Sequence, residues 1–323
     1  MTWHFNPFLH KYNDSVRDWK EHEENRSTMA KSKVFIALDP DRISGTTKVV
    51  GALGMPNLKG KSVLVKPNFN TADTPPGSSH IDTIRTIIEL VKQQEPKKII
   101  LGDRSGPVKT SKVFQDKGVF ALAEELGFEC LIFDEMPKNR WQKVNPPGSH
   151  WMNGFWFAKP VLEADAVIGL CCLKTHQYGG HFTMSLKLTT GMVHSRNMTE
   201  LHTSFINQRK MIAEMNYAYE PALLVMDGVD AFYAGGPMTG SKWKPDLTFG
   251  ATDRVALDAV GVAALKMHGS TSKIESKKVF EQDQIKRAAE LGLGAKGPDE
   301  VELIAVDRET ETVARKIESF LSK

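Results

Sequence analysis

The sequence predicts an α/β fold: a mostly parallel sheet with helices on both faces, divided into two lobes around a crevice. From Lys33 onward, short β-branched runs alternate with helical patterns, as in a sheet built by crossover connections. The longest apolar run, Ala166 to Leu173, is of strand length. The composition, 41% hydrophobic and 25% charged over 323 residues, is that of an ordinary globular chain with length for about two domains.

Residues 1–30 stand apart. Trp3, His4, Phe5 and Phe8 lead into Asp14, Arg17, Asp18, Lys20, Glu21, Glu23, Glu24 and Arg26. No apolar core follows a basic start, so this stretch is read as an N-terminal arm and not a secretory signal. The body is residues 31–323. Strands are expected at Val34 to Leu38, Ser62 to Lys66, Lys98 to Gly102, Glu129 to Phe133, Ala166 to Leu173, Ala222 to Met226, Leu247 to Ala251 and Val301 to Val306. Ile81, Ile84, Ile88 and Val91 share one face of a helix that ends by Pro96, and Val119, Leu122, Ala123 and Leu126 mark another that stops at Gly127. Asp253 is placed to cap a helix carrying Val255, Ala259, Val260 and Ala263. The Pro-, Gly-, Trp- and Asn-rich stretch 136–160 breaks the alternation, as a β-hairpin excursion or as the seam between lobes.

A net charge of +3 is too small for general attraction to nucleic acid or acidic membranes, so anion binding must be local. No apolar run approaches the roughly 18 residues of a membrane span. Three cysteines, Cys130, Cys171 and Cys172, supply neither a disulfide framework nor an iron-sulfur site. The expected setting is the reducing cytoplasm. The expected partners are a small anionic ligand and, through the arm, a second copy of the chain, with no nucleic acid and no membrane.

In open parallel sheets ligands collect beyond the carboxyl ends of the strands. The polar residues concentrate there: Lys66, Asn68 and Asn70 after one strand; Asp103, Arg104 and Ser105 between Gly102 and Gly106; Lys174 and His176, then Tyr178 and His181, after the long apolar run; Asp227 and Asp230 after Met226; and the Gly235 to Gly240 loop. His194 and His202 follow nearby. Lys66, Lys174 and Lys187 lie in apolar surroundings, where an ammonium needs a carboxylate or an anionic ligand. Ligand capture and pairing with Asp103, Asp227 or loop carbonyls are the competing readings. His176 and His181 with Asp227 supply nitrogen and oxygen ligands suited to zinc, manganese or iron, although their spacing matches no standard metal signature. The Gly102 to Gly106 turn is neither the phosphate-binding Gly-x-x-x-x-Gly-Lys-Ser/Thr loop nor the Gly-x-Gly-x-x-Gly fingerprint, so ATP and NAD are not supported.

Several separated motifs together resemble the DUF362 domain: Val63-Leu64-Val65-Lys66-Pro67-Asn68, Gly102-Asp103-Arg104-Ser105-Gly106, Leu173-Lys174-Thr175-His176, Ser185-Leu186-Lys187, Met226-Asp227-Gly228, Gly236-Pro237 with Gly240, and Asp253-Arg254-Val255-Ala256-Leu257-Asp258. The resemblance runs from about Val34 to Val306 and implies fold more than activity, since the family has no generally established reaction. This chain lacks the ferredoxin-like cysteine clusters often found with the domain, and Leu188 stands where the family usually has Asn. The resulting expectation is an enzyme acting on a phosphorylated or carboxylated substrate. Lys66, Asn68, Asp103, Arg104, Ser105 and Lys187 would bind it, and His176, Lys174 and Asp227 would carry acid-base chemistry. Hydrolysis, elimination and isomerisation stay open, as does metal assistance. The rival is a non-catalytic anion- or metal-binding protein that uses the same crevice.

Overall fold

Near-continuous apolar runs such as Ala166 to Leu173 give strands buried on both faces, and the helices between them supply both covering layers. The computed structural model describes residues 31–323. The strands are β1 (Ser32–Leu38), β2 (Ser62–Lys66), β3 (Lys98–Asp103), β4 (Glu129–Ile132), β5 (Trp141–Val144), β6 (Phe155–Ala158), β7 (Ala166–His176), β8 (His181–Phe182), β9 (Leu223–Gly235), β10 (Gly240–Trp243), β11 (Leu247–Ala251) and β12 (Val301–Ala305). The main sheet runs β12-β1-β11-β9-β7-β2-β3-β4, with β10 added on β9 and β8 on β7. The pairs from β9 to β4 are all parallel, whereas β11 is antiparallel to both β1 and β9.

The two-residue period sorts the core. In β9, Leu223 and Val225 join a cluster with Ile84, Ile87, Ile88 and Phe114, while Leu224 and Met226 join the cluster around the helix Arg254–His268. That helix begins as expected: the Asp253 carboxylate accepts the Val255 and Ala256 N–H groups. The helices Arg42–Leu53 and Ile81–Lys92 lie beside the first cluster, capped by Asp41 and His80.

Ser32–Lys323 forms one compact unit. Within it, the stretch expected as an excursion or seam holds the antiparallel pair β5–β6, and Trp141, Phe155 and Phe157 bury with Met192, Leu201 and Met211. The expected arm, residues 1–30, lies outside the described residues. Among the described residues, no helix is long and apolar enough to cross a membrane.

Two strands outrun their expected ends. β7 continues through Lys174 to His176, and β9 continues through Asp227 to Gly235, because each gains a hairpin partner, β8 and β10. The second hairpin turns at Gly235 and Gly236, both with positive φ, and a methyl group on Gly236 would overlap the Thr175 carbonyl oxygen. Gly236→Ala therefore combines left-handed strain with a backbone clash. It is expected to destabilise the protein by about 1–3 kcal/mol, read as a lower urea midpoint with an unchanged slope.

Candidate functional site: a basic pocket at the strand ends

β2, β3 and β7 are parallel, so Lys66, Asp103, Lys174 and His176 arrive at one end of the sheet. With the loops that follow them and the segment 183–202, they line a pocket of about 360 Å³. Lys66 is fully buried, its ammonium 2.6 Å from Asp103 Oδ1 and 2.6 Å from the Pro67 carbonyl oxygen. The Asp103 carboxylate also accepts the backbone N–H of Arg104 at 2.6 Å and of Phe69 at 3.0 Å. Burial pushes Lys66 down and Asp103 up, and their mutual attraction opposes both shifts. Gly191 closes over this pair, and a methyl group there would overlap both the Asp103 carboxylate and the Lys66 ammonium.

Lys174 is also buried, donating to the carbonyls of Gly77 at 2.7 Å and Pro237 at 3.2 Å. It has no carboxylate partner among the described residues, and burial pulls its pKa down to about 8. Lys187 is the extreme case. Half-buried in the lining, it makes no hydrogen bond or ion pair among the described residues; burial, followed by Lys174 and Arg104, pulls it down to about 8 as well. The short helix Ser185–Leu188 that carries it is held by Asp258, whose carboxylate accepts the N–H of Ser185 at 2.8 Å and of Leu186 at 3.0 Å. Burial pushes the Asp258 carboxyl up to about 7.

The imidazoles are fixed by backbone groups. Gly180 N–H donates to His176 Nδ1 at 3.3 Å, so the proton of neutral His176 sits on Nε2. Burial, then Lys187 and Lys174, hold His176 well below the ordinary histidine range, so it is neutral at pH 7. His202 has the opposite tautomer: Nδ1 donates to the Met198 carbonyl oxygen at 2.7 Å, which leaves Nε2 as a free acceptor. His202 stands at the exposed rim of the same pocket. The pocket therefore holds one imidazole whose Nε2–H can donate a hydrogen bond and one whose Nε2 can accept a proton.

The expected site residues separate accordingly. Lys66, Asn68, Asp103, Arg104, Lys174, His176 and Lys187 all line the pocket. Arg104 contributes charge more than donors, since its guanidinium is tied to the carbonyls of Val193, Ser105 and Thr190. Ser105 lies outside the lining, its hydroxyl buried without a partner. Asp227 is not brought to His176. It pairs in register with Cys172, four positions earlier on β7, and its carboxylate accepts from Arg42 at 2.8 Å and Thr83 at 3.3 Å on the helix-covered face. His181 pairs with His176 across β7–β8 but lies outside the lining, lowered to about 4 chiefly by burial. His176, His181 and Asp227 thus do not form a ligand set, and among the described residues no group of three or more His, Cys, Asp or Glu is placed to hold a metal ion. His202, which the sequence offered without a role, and Tyr178 complete the rim.

A family model described as a domain of unknown function, DUF362, matches residues 63–263. The chain belongs to the DUF362 family. The matched span includes every lysine and histidine of the pocket. The DUF362 chain is also similar to a thylakoid-associated protein of Synechocystis sp., 26% identical over 229 residues, which covers 69% of this chain and 68% of the relative. Among solved structures it is similar to the lactate racemase apoprotein from Thermoanaerobacterium thermosaccharolyticum, with a TM-score of 0.44 and 10% identity over 89% of this chain and 86% of that one.

The unpaired Lys187 gives a stability prediction. Its pKa of about 8 lies below the ordinary 10.5, so the folded state pays for its charge below pH 8 and is relieved as pH rises towards 10.5. Lys187→Met is expected to raise stability at pH 7 by about 1–3 kcal/mol, the advantage shrinking between pH 8 and 10.5. Denaturant midpoints across that range measure it.

Proposed function

We propose that this DUF362 protein binds a small organic anion in the basic pocket and moves a proton on it. The observation that carries this reading is the charge imbalance of the lining: among the described residues, Lys66, Arg104, Lys174 and Lys187 face a single carboxylate, Asp103, which is already engaged by Lys66 and two backbone N–H groups. Ammonium groups kept from water with no counter-charge are stabilised by an incoming carboxylate or phosphate.

The opposed tautomers of His176 and His202 support catalysis over storage. In this reading the ligand anion sits against Lys174 and Lys187. His202 Nε2 takes a proton from the ligand, and the negative charge that develops is stabilised by the ammonium groups and by the hydrogen bond from His176 Nε2. Return of a proton completes an isomerisation, and loss of a leaving group completes an elimination. Free thiols at Cys130, Cys171 and Cys172 support a reducing, cytoplasmic setting.

The test is proton-deuterium exchange into a panel of short carboxylates and phosphomonoesters, followed by NMR in D₂O, alongside thermal shift with the same compounds. His202→Gln and His176→Gln are each expected to slow exchange by about 10²- to 10⁴-fold while ligand-induced stabilisation persists, and Lys187→Met is expected to abolish both. Stabilisation of wild type without exchange of any ligand would favour the non-catalytic binding protein.

A further inference from the structure

Lys66 and Lys174 in the lining are each only 1% exposed, and the apolar side chains of the lining run from Leu188 at 3% through the partly exposed Met198 and Met238 to Tyr178 at 57%. A bare inorganic anion would leave most of the volume unfilled, since pockets of roughly 300–1,000 Å³ house organic ligands of many heavy atoms.

Phe205 and Ile206 are 80% and 81% exposed, and they follow rim residue His202 along the chain. The same segment is fastened to the Tyr178–Gly180 turn: Arg209 Nη1 donates to the Gly179 carbonyl oxygen at 3.0 Å, and Gln208 packs where a Gly179 side chain would point. Single exposed apolar side chains are ordinary, but two adjacent ones between rim residue His202 and the residues held to the turn of Tyr178 offer an apolar surface next to the pocket.

We infer that the pocket takes an amphiphilic anion, with its carboxylate or phosphate held at Lys174 and Lys187 and its apolar body running past Tyr178 and Met198 onto Phe205 and Ile206. This rests on the anion-site reading and names its ligand class. The ligand is a single dissolved molecule: Lys174 is only 1% exposed and Lys187 half-buried, so the head group must enter the pocket to reach them.

Calorimetric titration of the full-length protein tests this, with straight-chain carboxylates from acetate to decanoate and the matching alkyl phosphates, all below their micelle concentrations. Affinity is expected to rise about fourfold per added methylene, the fold-change equivalent to roughly 0.8 kcal/mol, and to level off once the chain passes the mouth. The series with the steeper and tighter response identifies the head group. In Phe205→Ser/Ile206→Ser, the longer members should lose their gain while the short ones keep their affinity within about twofold. If short and long members bind wild type equally, the amphiphile inference fails and the anion site stands. If no member binds wild type, the anion site fails with it. Binding to anionic phospholipid vesicles without binding of the dissolved series would overturn the inference in favour of a membrane surface.

Discussion

The buried ion pair between Lys66 and Asp103 governs the rest of the site. Among the described residues it takes the only carboxylate in the pocket lining and fixes it with a 2.6 Å contact and two backbone N–H donors. A buried pair of this kind is held in place more by the cost of breaking it than by its net contribution, because removing either partner leaves a charge without water. With Asp103 engaged, no other carboxylate among the described residues of the lining answers the charge of Lys174, Lys187 or Arg104. The same pair dictates the backbone above it, since only glycine fits at position 191. Arg104, next to Asp103, ties the segment 190–193 down through the carbonyls of Thr190 and Val193.

Backbone groups also set the chemical character of the side chains. A peptide N–H facing His176 and a peptide C=O facing His202 assign the two rings opposite roles without any charged partner, and carbonyls from separate loops hold Lys174. The acidic residues most conspicuous in the sequence serve elsewhere. Asp227 and Asp230 are bridged by Arg42 at the start of the helix Arg42–Leu53, joining that helix to the sheet. Asp253 caps one helix, and Asp258 holds the turn that presents Lys187.

Much of this was legible in the sequence, for physical reasons. Strand periodicity and the rule that ligands gather at carboxyl ends of parallel strands were enough to pick out Lys66, Asn68, Asp103, Arg104, Lys174 and His176. Lys187 was legible as a charged residue in an apolar setting. Asp227 was misplaced because strand length depends on partners: β9 has β7 and β11 beside it and β10 beyond, so it runs past Met226 and carries Asp227 in its interior. His181 follows a turn that places it on β8 outside the lining, and the Ser105 hydroxyl turns inward. Nothing in the local sequence near His202 signals its tautomer or its place on the rim, because these come from a carbonyl four residues earlier and a pocket built by distant strands.

The hold of Asp258 on the turn Ser185–Leu188 has a consequence for biogenesis. Lys66 and Lys174 come from neighbouring parallel strands far apart in the chain, yet the turn that positions Lys187 gains its cap only when the helix Arg254–His268 packs. A nascent chain that has emerged through β7 already carries every pocket lysine except Lys187, but it cannot assemble the mature site until Asp258 has also been synthesised and docked. The concentrated positive charge is thus assembled only when most of the surrounding core is available to hold it.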